Sequence, residues 1–375
     1  MNLSSLLENR DLLICVGSGG VGKTTTAAAL ALRAAQDGRK VLVLTIDPAK
    51  RLANSLGMKR FGNEETRIEL EDAKGELWAM MLDNRRTFDD LIDRVSPNET
   101  TRDRVLGNRI YRIISGSISG SQDYMATEKL HDVALSKRYD LVVLDTPPVK
   151  NALDFLEAPG RLARFLDRRI MKWFLTPYDE KRVFGRLLMG TSAVVFRLLA
   201  YIFGRDFLAD LSEFFMAFRD LYDGFRQRHE AVLQLFQDGR TAFVVVCAPT
   251  EPSVKVATYF LDELQTRKMP NPGVIVNQCH LVGEETSDGR AVLETEARSM
   301  SEDLGTNTVD RLLARLGAAH HRLIELSRTE MVFVDQIKDK IRSDQAVWPV
   351  PRLEHEVNDV ASLKTLGQHL FHKTM

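Results

Sequence analysis

Residues 17–26 read Gly17-Ser18-Gly19-Gly20-Val21-Gly22-Lys23-Thr24-Thr25-Thr26, a G-x-x-x-x-G-K-T pattern between two different kinds of sequence. Before it, Leu12 to Val16 is a short apolar run of the kind that forms a buried strand. After it, Ala27 to Ala35 is rich in Ala and Leu, a helix-forming composition. Strand, glycine loop and helix in that order predict a phosphate-binding loop. Glycines let the backbone turn sharply and bring its N–H groups near phosphate oxygens. The helix that follows points its positive end at the same anion. Lys23 supplies a point charge for β- and γ-phosphates, and the Thr24 hydroxyl is placed to ligate Mg²⁺.

Outward from the loop, Lys40 to Asp47 (KVLVLTID) is a second buried-strand candidate, so the first units form a βαβ crossover and a parallel sheet. That strand ends in Asp47-Pro48-Ala49. A carboxylate there faces the ligand crevice and suits positioning of an attacking water, unless it caps the helix after Pro48. Glu76 to Asp83 is a third strand candidate, followed by a charged, helix-like stretch from Arg85 to Ser136. Within it, Ser115 to Ser121 is a small-residue loop or helix start. Tyr139 to Asp145 (YDLVVLD) again ends in a carboxylate, which in such a sheet would hold Mg²⁺ directly or through water. Thr146-Pro147-Pro148 makes a rigid exit, and Lys150 beyond it is either an exposed turn residue or a phosphate contact.

From 158 to 237 apolar and aromatic residues recur at helical spacing with no strand pattern, which predicts an inserted helical subdomain. Its run Leu187–Phe203 is apolar almost all round, but it contains Arg197 and is shorter than the ~20 residues of a membrane span. It reads as a core helix or as a surface for a hydrophobic partner. The parts on either side, 1–157 and 238–375, form the α/β core. Strands are expected at Thr241–Ala248, Gly273–Gln278 and Met331–Val334, helices at Val254–Lys268 and Asp359–Phe371, and a charged helical stretch at Leu281–Arg328 with a polar loop around Asp288-Gly289. Asn277, at a strand end, has the donor and acceptor to pair with a purine, or it forms a local Asx turn.

Composition narrows the classes. The chain has 375 residues, 44% apolar and 27% charged, with net charge −1, so a packed core is expected and a nucleic-acid partner is not. No basic stripe or internal repeat stands out. Cys15, Cys247 and Cys279 are far apart and lie in or beside apolar runs, so they read as buried small hydrophobes. His369 and His372 lack acidic or cysteine neighbours for a metal. The first residues carry Glu8, Arg10 and Asp11 and lack the apolar centre of a signal peptide, which predicts a cytoplasmic protein.

With these motifs placed, the chain resembles the ArsA-like family of arsenite-pump and tail-anchored-protein-targeting ATPases, part of the dimeric P-loop ATPases. The resemblance rests on Gly17–Thr26, on Ile46-Asp47-Pro48-Ala49 as the first switch and on Asp145-Thr146-Pro147-Pro148 as the second. It continues in Ile275-Val276-Asn277-Gln278 for adenine and in Val350-Pro351-Arg352-Leu353-Glu354-His355-Glu356-Val357 as the family's late proline loop over the base. It implies a P-loop ATPase fold, with the helical subdomain inserted. It also implies ATP bound by Gly17, Ser18, Gly19, Gly20, Val21, Gly22, Lys23, Thr24, Thr25, Asn277 and Pro351, and Mg²⁺ on Thr24 and Asp145. Lys23, Asp47 and Asp145 would be catalytic, in a dimer that captures and releases a hydrophobic client such as a membrane-protein segment.

Three departures stand beside the match. The family's loop carries a lysine just before the double glycine, which reaches the partner's phosphates; here the residue is Ser18. Where the family often has Gly-His after the second switch, this chain has Lys150 and Asn151, and Lys150 is a candidate replacement cation. The cysteines match neither the arsenite site of the pumps nor the zinc pair of the eukaryotic targeting factors. Ser18 motivates an alternative, a weakly active subunit of a heterodimer whose paralogous partner supplies the lysine. An anion-pump subunit is a third reading.

Overall fold

The computed structural model describes residues 3–46, 51–56, 64–71, 73–117, 121–146, 204, 207–208, 210–211, 213–214, 221–282, 295, 299 and 306–371. In chain order the elements are α1 (Leu3–Asn9), β1 (Leu12–Val16), α2 (Lys23–Gln36), β2 (Lys40–Thr45), α3 (Arg51–Ser55), β3 (Thr66–Ile68) and β4 (Glu76–Met81). Then come α4 (Asn84–Val95), α5 (Glu99–Gly107), α6 (Arg109–Ser117), α7 (Ser121–Ser136), β5 (Leu141–Asp145) and α8 (Tyr222–Gln237). The last are β6 (Thr241–Cys247), α9 (Glu251–Thr266), β7 (Gly273–Cys279), α10 (Thr306–Lys340), β8 (Ala346–Pro351) and α11 (Val360–Phe371).

The apolar runs of β1, β2, β5, β6 and β7 are buried on both faces along nearly their whole length, which only a sheet covered by helices on either side satisfies. Eight strands form one sheet in the order β3-β4-β2-β5-β1-β6-β7-β8. All pairs are parallel except β3 with β4. Alternation along β1 shows how the layers are built. Leu12, Ile14 and Val16 point into one core with residues of α4, α7, α8, α9 and α10. Leu13 and Cys15 point into the other with α1, α2 and α11. β1 lies between β5 and β6, so the loop after it opens at the C-terminal ends of the central strands, where ligands bind in such sheets.

Several expectations match within a residue or two, including β4, β5, β6, β7 and α11. The charged stretch after β4 resolves into α4, α5, α6 and α7. Ser115, expected in a loop or at a helix start, is buried within α6, which runs through Ser117, and Ser121 begins α7. The expected strand Met331–Val334 is wrong: those residues lie inside α10. Val334 and Ile337 pack on the sheet at helical spacing, a periodicity that a four-residue apolar window hides. The last strand is instead Ala346–Pro351, at the sheet edge, where Pro349 and Pro351 are tolerated. β3 was not anticipated; three residues give too little pattern to read. Most of the stretch 158–237, expected as a helical insertion, lies outside the described residues, and so does Leu187–Phe203. The last helix of the stretch, α8, packs on α7, and Phe236 meets Phe243 of β6 edge-to-face at 5.5 Å. Among the described residues no helix is long and apolar enough to cross a membrane.

One ionic cluster fixes α8 to α7. Arg228 of α8 donates to Glu128, which is 1% exposed, and to Asp132 at 2.5 Å; Arg94 of α4 also pairs with Asp132. Burial works against the Arg228 charge, but Glu128 and Asp132 outweigh it and hold its pKa above the ordinary value. Burial and then Arg228 push the neighbouring His131 down, so it stays neutral. Removing Arg228 takes from the buried Glu128 the guanidinium that faces it. Arg228→Ala is therefore expected to cost about 3–5 kcal/mol in urea unfolding. A loss below about 1 kcal/mol would mean that water already screens Glu128.

Candidate functional site

The loop between β1 and α2 is shaped by what its glycines allow. A Cβ on Gly17 would lie 2.0 Å from the Val246 carbonyl oxygen, so only glycine lets the chain leave β1 beside β6. Gly22 sits at φ +87°, and a Cβ there would be 2.3 Å from Asn277 Nδ2. Gly22 is also the N-cap of α2 and, being glycine, has no side chain to occupy the helix's free N–H groups. Those groups remain available to an anion at the positive end of a 14-residue helix.

The loop's carbonyls are tied back, away from that anion position. Asn277 Nδ2 donates to the Val21 oxygen at 2.9 Å, and Gln278 Nε2 reaches the Gly20 oxygen at 3.4 Å. Both side chains come from the end of β7, where the register with β8 shifts between Val276 and Cys279 and Gln278 adopts φ 65°. An irregularity of this kind re-aims side chains at a strand end. Lys23 is buried and donates to the Ser18 oxygen at 2.8 Å, and Thr25 donates to the Gly22 oxygen at 2.9 Å.

Beneath the loop, Asp145 at the end of β5 is fully buried. Its Oδ2 accepts from Thr24 Oγ1 at 2.8 Å and from Thr45 Oγ1, at the end of β2, at 2.9 Å. Thr146 next to it donates to the Cys15 carbonyl at 2.7 Å. One carboxylate thus gathers β2, β5 and the first turn of α2. Thr24 and Asp145 offer hard oxygen donors of the kind Mg²⁺ takes, with most remaining positions left for phosphate and water. The donor set fits that ion.

Gly17 to Thr25, Asp145 and Asn277 are therefore brought together in one place. Pro351 closes β8, paired with Cys279, one strand beyond Asn277. Asp47, Pro48, Pro147, Pro148 and Lys150 lie outside the described residues. Ser18 is half-buried, with its hydroxyl 3.2 Å from that of Ser253 at the start of α9; Ser253 Oγ in turn accepts the Ala248 N–H at 3.0 Å. Thr45 and Ser253 were not singled out from sequence, and Gln278 was named only within the motif 275–278, with no role of its own. Only Thr45 carried a signal, a hydroxyl two residues before Asp47 at the strand end. All three cysteines are buried and free. Burial is the first cause in each, raising Cys247 and Cys279 to about 12; Cys15 is raised further with the help of Asp145. They are thiols packed in the sheet, as the sequence predicts.

Comparison with known sequences agrees with this geometry. The profile of a family described as Anion-transporting ATPase matches residues 10–302, most of the chain. The chain belongs to that ATPase family. Its relatives include an ATPase GET3 of Podospora anserina, 26% identical over 74% of this chain and 76% of that protein. An ATPase get3 of Aspergillus terreus is 27% identical over 74% of this chain and 76% of its own length. An ATPase ASNA1 homolog of Plasmodium berghei is 24% identical over 98% of this chain and 89% of that protein. The chain is thus an ATP-binding ATPase of the ArsA-like group, with the P-loop NTPase fold.

The Gly22–Asn277 approach gives a direct check. Gly22→Ala is expected to weaken ATP affinity by at least about tenfold, since the αL strain and the clash with Asn277 both act on the loop. Gly22→Ala should cost less in an Asn277→Ala background than in the parent, because the clashing atom is gone. Equal ATP affinity of Gly22→Ala and the parent, by calorimetry, would show that the approach does not constrain the loop.

Proposed function

We propose that the chain is a Mg²⁺-dependent ATP hydrolase whose nucleotide state rearranges its helical part to bind and release a hydrophobic client. The observation that carries the catalytic half is the Thr24–Asp145 contact, a hydroxyl and a carboxylate held 2.8 Å apart under the phosphate loop. Mg²⁺ held by Thr24 and Asp145 would neutralise phosphate charge. Gly17 to Thr25 present N–H groups to the phosphates. Lys23, now on the Ser18 carbonyl, turns to the transferred phosphoryl group and offsets the charge that builds there. Asp47 orients the attacking water. Asn277 and Pro351 bracket the base, with Asn277 keeping its hold on Val21 so that base and phosphate loop move together.

The client half rests on sequence: the apolar run Leu187–Phe203 and the aromatics of 158–237, within the resemblance already described. A hydrophobic segment, such as a membrane-protein helix, fits such a surface. The working unit is a dimer, either of identical chains or with a paralogue. The second form is favoured by one observation. Ser18 is short, uncharged and engaged with Ser253 of its own chain, so it does not supply a cation across an interface.

Turnover by the pure chain separates these readings. Hydrolysis by the parent alone supports a self-sufficient enzyme. Negligible turnover that rises on Ser18→Lys supports the heterodimer. Lys23→Ala is expected to lower hydrolysis by at least about a hundredfold, the scale of losing one charge-stabilising donor. Asp47→Asn should slow hydrolysis comparably while leaving ATP affinity near the parent's. Loss of affinity in Asp47→Asn would contradict its role with water.

A further inference from the structure

α10 spans 35 residues, about 52 Å at ~1.5 Å per residue, and its two halves meet different surroundings. The second half is held against the sheet. Val334 and Ile337 are fully buried, and Glu330 accepts from the His280 backbone N–H at 2.6 Å and lies 2.8 Å from His280 Nδ1. Along the first half, every residue from 311 to 326 is exposed except Leu313, His320 and Ile324, which are half-buried.

The apolar face does not stop where the packing stops. Positions 316, 323 and 334 recur at spacings of seven and eleven, close to whole turns, so Leu316 and Leu323 lie on the face that buries Val334. Leu312, Leu316, Leu323 and Leu326 are 43%, 48%, 41% and 41% exposed. Next to this row, on the side away from the half-buried stripe, run Arg311, Arg315 and Arg322. Among the described residues no carboxylate pairs with these three, whereas Arg328 is matched by Glu325 at 2.9 Å. The chain as a whole carries a net charge of only −1, so the basic row is local. The sequence alone shows no basic stripe; helical spacing assembles this short one.

The charges decide what the face suits. In a coiled coil of two copies the leucines would occupy a and d positions, with Arg315 and Arg322 at g. In a parallel pair these would face His320 and Ser327, and in an antiparallel pair they would face each other. Neither offers a carboxylate. Among the described residues the segment is exposed on most of its circumference, and none of them lines a groove for a peptide along it. A leucine row edged by arginines on an exposed helix segment matches a flat, anionic, apolar-backed surface. We propose that residues 311–326 of α10 form an amphipathic element that docks the protein on an anionic membrane, leucines at the acyl boundary and arginines at the headgroups.

Co-sedimentation with vesicles tests this. The full chain should bind vesicles of phosphatidylcholine and phosphatidylglycerol in a seven-to-three ratio at least about tenfold more strongly than phosphatidylcholine alone. Replacing Arg311, Arg315 and Arg322 by Gln should lower binding by about a hundredfold. Leu316→Ser with Leu323→Ser should lower it by at least about tenfold. All these side chains are exposed and outside the nucleotide site, so ATP turnover and the unfolding midpoint should stay at the parent's values. No binding of the parent to the mixed vesicles, or equal binding by the parent and both variants, overturns the proposal. So does a leucine variant that changes the mass of the particle, or its capture of an apolar peptide, while vesicle binding is unchanged. The first result assigns the face to a second copy, the second to a protein client.

Discussion

A single carboxylate organises the centre of this molecule. Asp145 is fully buried at the end of β5, and its Oδ2 accepts hydroxyls from β2 and from the first turn of α2. A carboxyl group in that position is costly without hydrogen bonds, so the fold has to bring Thr24 and Thr45 to it. Meeting that need fixes three things together. The N-terminus of α2 sits over the ends of the strands, the phosphate loop takes its height above the sheet, and a hydroxyl and a carboxylate lie side by side where a hard cation is wanted. The apolar strands make the platform, and the polar contact at their ends decides what the platform presents.

The loop is shaped from its outer side as well. Its glycines permit the chain path, but Asn277 and Gln278 hold the carbonyls of Val21 and Gly20. Turning carbonyls away leaves the opposite face of the loop lined by N–H groups, the property an anion cradle needs. The same Asn277 was expected at the base. In the proposed function, its bond to Val21 would join recognition of the base to the posture of the loop. Farther out, Glu330 ties α10 to the residues just after β7, and the Arg228 cluster ties α8 to α7. The helices beyond the sheet are therefore joined to it at defined polar contacts as well as by apolar packing.

Much of this was legible in the sequence because the governing patterns are short and local. Gly17 to Thr26 announces its own strand, turn and helix, and Asp145 announces a site by ending an apolar run. Less legible were features set by distant pairing. Gln278 and Ser253 reach the loop from 258 and 235 residues away in sequence, and nothing in their neighbours says so. Met331 to Val334 misled because four apolar residues fit a strand as well as a helix; only the burial of Val334 and Ile337, three apart on one face, shows the helix. The open leucine row of α10 was hidden for a related reason. A leucine destined for the core and one left in water look the same in sequence, and the difference lies in which neighbours arrive.

The central claim is that Asp145 acts with Thr24 at the cation that accompanies ATP, and calorimetric titration of ATP with and without Mg²⁺ tests it most directly. For the parent chain, Mg²⁺ should tighten ATP binding. For Asp145→Asn, which keeps the size and a hydrogen-bond acceptor but removes the charge, binding without Mg²⁺ should stay close to the parent's and the gain from Mg²⁺ should disappear. A variant that binds MgATP as the parent does, with the same dependence on Mg²⁺, would contradict the account.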